Sequence, residues 1–107
     1  MKTLKFVQNL VPLVLSEEKT STWRLFDDKD LKVGDKLNLI NKDNGEEFAK
    51  AIIIGVKEKK LGDINNDDYV GHEKFKGKEI MMNTYKMYYG DNVDKDTLIK
   101  MINFKML

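Results

Sequence analysis

The chain of 107 residues has no cysteine. That excludes a disulfide scaffold, a thiolate metal site and a thiol nucleophile, and it suits a reducing compartment. Proline occurs once, at Pro12, and the seven glycines are scattered, so no Pro/Gly-rich linker exists. There is no repeat of fixed period and no low-complexity tract. Near the start the longest apolar run is Leu10 to Leu15, far short of the roughly 20 residues needed to cross a bilayer. The amino terminus also lacks the apolar region and small-residue cleavage site of a secretory signal. A cytoplasmic protein without membrane association is expected. Excess charge is lacking too: 19 Lys+Arg against 18 Asp+Glu give a net charge of +1, so any polyanion site must be local.

What is present is enough for a core. The hydrophobic fraction is 41%, with four Tyr, five Phe and one Trp, a composition that folds. A single domain over residues 1–107 is expected. Thr3 to Val7 alternates as a short strand. Asn9 is placed to cap a helix running to about Glu18, with Pro12 in its first turn and Leu10, Leu13 and Val14 facing inward. From Lys19 to Leu25, period two puts Ser21, Trp23 and Leu25 on the core side and Thr20, Thr22 and Arg24 toward solvent or a cleft. A turn at Leu31–Asp35 leads to a strand over Lys36–Ile40. Asp43-Asn-Gly45 signals a hairpin, and a long return strand runs from Phe48 to about Lys57 with Gly55 as a candidate bulge. Residues 61–76 read as a polar surface excursion. A helix over about Lys78–Tyr89, closed by Gly90, and a last strand over Thr97–Leu107 complete the pattern. Five or six strands with two main helices in this order predict an α+β fold, a small β-barrel with helices over its openings.

Among eighteen lysines there is one arginine, Arg24. Its planar fork suits phosphate, carboxylate or a base edge; equally, it can pair with Asp27 or Asp28. Lys19, Thr20, Ser21 and Thr22 place an amine beside three hydroxyls, which is either a hydroxyl with a basic partner or an ordinary turn. His72-Glu73 has the makings of an acid/base pair, although a lone His is usually inert. Zinc is not expected, because Lys76 stands where a second His would be needed. Nor is calcium: Asp63, Asn65 and Asp67 begin like an EF-hand loop, but Asp68 and Lys74 replace its glycine and glutamate. Met81, Tyr85 and Tyr88 form a helical stripe of core type, while Tyr88 and Tyr89 beside Gly90 are placed to line a cleft and stack on a base. The lysines at 57, 59 and 60 and at 74, 76 and 78 are either solvated faces or a phosphate rim.

Taken together, Lys19-Thr-Ser-Thr-Trp-Arg24, Leu31-Lys-Val-Gly-Asp35, Gly71-His-Glu73, Tyr88-Tyr-Gly90 and Ile102-Asn-Phe104 resemble the ASCH domain of the PUA-like superfamily over nearly the whole chain. The resemblance implies a PUA-like pseudo-barrel whose cleft is floored by the Lys-Thr-x-Thr-x-Arg segment, and an association with RNA or modified nucleosides. One branch of the family deacetylates N(4)-acetylcytidine with a lysine, a threonine and a glutamate. Those roles fall on Lys19, Thr22 and Glu73, with Arg24 as the motif arginine. Ligand contacts are expected from Arg24, Thr20, His72, Tyr88 and Tyr89. Where members usually carry glycine, two residues before the motif lysine, this chain has Glu17. Binding of RNA or a modified nucleoside is the expected function and amide hydrolysis the alternative, by a monomer or weak dimer with no cofactor.

Overall fold

The computed structural model describes residues 1–27, 29–72 and 75–107. Five strands form one sheet in the order β1-β3-β4-β5-β2: β1 is Lys2–Phe6, β2 Ser21–Leu25, β3 Lys36–Asn41, β4 Glu47–Lys60 and β5 Leu98–Met106. β1 pairs with β3 in parallel, and every other pairing is antiparallel. The helices are α1, Val11–Leu15, which continues a 3-10 turn over Gln8–Leu10, and α2, Lys78–Tyr89. The sheet curls into a half-barrel with β1 and β2 as its two free edges.

The alternation of apolar residues decides which face is filled. Leu4 and Phe6 of β1, Leu37 and Leu39 of β3, Ala51 and Ile53 of β4, and Ile102 and Phe104 of β5 build the inner core, capped by Val14 of α1. The opposite face of β5 and β2 carries Ile99, Met101, Trp23 and Leu25, which pack against Met81 and Tyr85 of α2. The expected bulge lies in β4, where the register slips between Ile53 and Gly55. One extra residue reverses the alternation, so Val56 rather than Gly55 continues the inner face after Ile53.

Three expectations need correction. Asn9 caps nothing by its side chain, and α1 stops at Leu15 rather than near Glu18. The reason is backbone conformation: Glu17 sits at φ +64°, in the left-handed region that ends a helix and favours glycine. The segment 61–76 is not merely a surface excursion, because Leu61 and Ile64 are buried in the second core. Short 3-10 turns over Leu61–Asp63 and Asn66–Tyr69 tuck these two side chains inward. Asp68 anchors the second turn by accepting hydrogen bonds from Asn65 N–H and from Lys57 and Lys59. Burial pushes its carboxyl pKa up, but those bonds outweigh burial and hold it below the ordinary value. Among the described residues, no helix is long and apolar enough to cross a membrane.

Candidate functional site

The period-two pattern of β2 sets the site. Thr22 lies opposite Ile102 and Trp23 opposite Met101, so the threonine turns to the inner face and the indole to the face under α2. Since β2 is a free edge, a cleft reaches both faces around it. Its volume is about 370 Å³, and its walls come from β1, the 3-10 turn that precedes α1, β2, His72, Phe75 and α2. Lys19, Thr22, Arg24, His72, Tyr88 and Tyr89 all line it. Residues spread over 71 sequence positions, from Lys19 to Tyr89, are thus brought together by the fold.

Lys19 and Thr22 are only 4% exposed. Lys19 follows the left-handed turn at Glu17, and its N–H donates to Leu13 O at 3.0 Å, which ties the residue to the end of α1. His72 stacks on Trp23 with ring centroids 4.0 Å apart and planes 16° from parallel. Phe75 and Tyr85 continue this aromatic wall, and Tyr89 stacks on Tyr85 at 6.2 Å. Tyr88 stands at the mouth, 61% exposed. The Nε1 donor of Trp23 is buried with no hydrogen-bond partner among the described residues.

Arg24 does not pair with Asp27, which instead meets Lys100 at 2.8 Å. Its guanidinium donates from Nη2 to Lys5 O at 2.8 Å and lies over the Phe6 ring, 5.3 Å from the centroid. Lys29 makes a parallel link, its Nζ donating to Thr3 O at 2.7 Å. Both bonds run from the β2 side to carbonyls of β1, so cations span the opening between the two free edges.

Thr20 is not part of the cleft. It precedes β2, is exposed, and lines a separate depression with Ser21 and Asn103. Its role is local: Gly71 accepts hydrogen bonds from the N–H groups of Thr20 and Ser21 at 2.9 and 3.0 Å. Glu73, like Asp28 and Lys74, lies outside the described residues. The described lysines weighed as a phosphate rim lie outside the cleft. Lys57 and Lys59 meet Asp68, and Lys78 donates to Gly62 O. The cations that do line the cleft, besides Lys19 and Arg24, are Lys5, Lys29 and Lys42. Sequence reasoning missed them because only the parallel pairing of β1 with β3 brings Lys42 beside Phe6, whose carbonyl accepts its N–H at 2.8 Å. Among the described residues, no group of three His, Cys, Asp or Glu side chains gathers as a metal site.

No family model and no curated protein matches the sequence. Solved structures do. A DUF984-family protein of Enterococcus faecalis superposes with a TM-score of 0.78 at 18% identity, over 92% of this chain and 70% of that one. The ASCH domain of Lactobacillus crispatus gives 0.69 at 19% identity, over 89% and 68%. An ASCH protein of Zymomonas mobilis gives 0.68 at 7% identity, over 96% and 65%. With the curled sheet and two helices arranged as the PUA-like expectation requires, this chain has the fold of the ASCH domain.

Proposed function

We propose that the cleft binds RNA or a modified nucleoside or nucleotide, with a base against the aromatic wall and polar or anionic groups met by the cations. The observation that carries this reading is the composition of the cavity. Five cations and an array of aromatic rings share about 370 Å³, and no carboxylate occurs among the described lining residues. That volume suits one small ligand. Base stacking on an aromatic ring is worth about 1–3 kcal/mol, and the buried Trp23 Nε1 offers a donor to a base or sugar oxygen. Trp23 is also the only tryptophan, so its fluorescence reports on the site. Titration with nucleosides and short RNAs should quench it, and Tyr88→Ala should weaken binding by about tenfold. Absence of any binding by either class, or equal affinities in wild type and variant, would overturn the reading.

A hydrolytic reading is favoured by one specific observation: Lys19 and Thr22, both buried, line the same cleft. In that reading the Thr22 hydroxyl attacks the amide carbonyl of an acylated pyrimidine nucleoside and Lys19 takes the hydroxyl proton. Glu73 gives a proton to the leaving amine, Arg24 steadies the oxyanion, and water then hydrolyses the acyl-Thr22 ester, releasing the carboxylic acid and restoring the hydroxyl. Incubation with N(4)-acetylcytidine should then release cytidine, and Lys19→Ala and Thr22→Ala should each abolish release while the fold persists. Retained turnover in either variant rejects it. A cytoplasmic location and a monomeric or weakly dimeric state accompany both readings.

A further inference from the structure

The cleft is asymmetric in its chemistry. One wall is aromatic, formed by His72 on Trp23 and by the tyrosines of α2. Opposite it, at the junction of β1 and β3, stand Lys5 and Lys42, both exposed at the mouth. They flank Phe6, whose carbonyl accepts the Lys42 N–H. Neither side chain forms an ion pair with a described residue, whereas other lysines such as Lys2, Lys59 and Lys100 each hold an aspartate. The lysine pair belongs to a cavity that has no carboxylate among its described lining residues. A dianion in the cleft can be met by both ammonium groups. A neutral nucleoside offers them nothing to neutralise.

We infer that Lys5 and Lys42 form a phosphate subsite, so that the cleft selects a nucleoside monophosphate unit over the corresponding neutral nucleoside. The inference rests on the reading that the cleft takes a nucleoside, and it adds the charge state of the ligand and the residues that sense it. A compact ammonium with three rotatable donors suits a phosphate monoester as a point charge. The cavity holds one such unit, with the base reaching the aromatic wall while the phosphate stays at the mouth. Two sources present this chemistry: a free mononucleotide, or the terminal phosphate of an RNA strand.

Calorimetric titration of the full chain with cytidine, cytidine 5′-monophosphate, a 5′-phosphorylated trinucleotide and inorganic phosphate tests the inference. The monophosphate should bind about tenfold or more tightly than cytidine at low salt, an advantage that shrinks as KCl rises. In Lys5→Gln/Lys42→Gln the ratio of the two affinities should fall close to one. Cytidine binding as tightly as its monophosphate would overturn the inference and leave the nucleoside reading intact. A preference that survives in the double variant would overturn the assignment to these lysines. No binding of any nucleoside or nucleotide would remove the underlying reading, and the inference with it. Phosphorylated trinucleotide exceeding the mononucleotide identifies a strand end as the source, and the reverse identifies the free nucleotide.

Discussion

Replacing Gly71 by alanine should destabilise the protein through two separable effects. Gly71 sits at φ +74°, and a Cβ added there would lie 2.1 Å from Thr20 Oγ1, 3.4 Å from Thr20 Cβ and 3.6 Å from Ser21 N. The left-handed conformation costs a residue with a Cβ about 1–2 kcal/mol. Relieving the clash forces Thr20 out of its rotamer, at about 0.5–1.5 kcal/mol. Together these give about 1.5–3.5 kcal/mol, or a fall of about 6–14 °C in Tm at about 4 °C per kcal/mol for a domain of this size. Urea unfolding followed by Trp23 fluorescence measures it directly. Adding Thr20→Ala removes the Oγ1 contact, so the double variant should recover the clash portion and retain the conformational one. If Gly71→Ala is neutral, or if Thr20→Ala restores nothing, the argument from φ and contact distance is refuted. Because Gly71 immediately precedes His72, the single variant should also loosen the stack of His72 on Trp23, which weakens ligand binding beyond any loss of fold.

Glu17→Gly should stabilise by about 0.5–1 kcal/mol, since glycine occupies φ +64° without a Cβ penalty; an unchanged urea midpoint would refute this. Asp27 and Asp68 both have lowered pKa values: burial raises them, and hydrogen bonds, chiefly from Lys100 and Lys59, more than reverse it. Their stabilisation is therefore complete above the unfolded carboxylate value of about 3.9 and is lost as pH falls through the lower folded values. Urea midpoints should drop below about pH 4, with a shallower pH dependence in Asp68→Asn; identical profiles would count against it. Arg24→Lys should lower stability by about 1 kcal/mol, because an ammonium cannot both reach Lys5 O and lie flat over Phe6. Equal melting temperatures would show that the planar fork is dispensable.

Much of the fold is legible where local chemistry and tertiary packing agree. α2 spans Lys78–Tyr89 as its periodicity predicts, and the Asp43-Asn-Gly45 hairpin joins β3 to β4. The polarity of β2 is legible as well, since the alternation of Trp23 with Thr22 and Arg24 survives in the register with β5. Two kinds of information were not. Helix length at α1 depends on one residue, Glu17, adopting a conformation its type disfavours. The basic wall of the cleft depends on topology: nothing local to Lys5 or Lys42 distinguishes them from other lysines until β1 lies parallel to β3. Arg24 lines the cleft, but its contact with a backbone carbonyl on the opposite edge has no sequence signature.

The half-barrel is completed by side chains where a closed barrel would use a ladder. Between β1 and β2 no strand pairing exists, and the links across the opening include one guanidinium and one ammonium, from Arg24 and Lys29. Each such bond is worth about 1–3 kcal/mol, so this seam separates with far less work than any paired interface in the sheet. It is also the line along which the cleft lies. The cleft thus lies where the wall is weakest, and the cations that hold the wall shut line the same cavity as Lys5 and Lys42, the lysines proposed to meet an anion. Amide exchange at Lys5 and Trp23, whose N–H groups point away from the paired strands toward the opening, should accordingly be fast in the free protein compared with β4 and β5, and an anionic ligand should change it more than a neutral one.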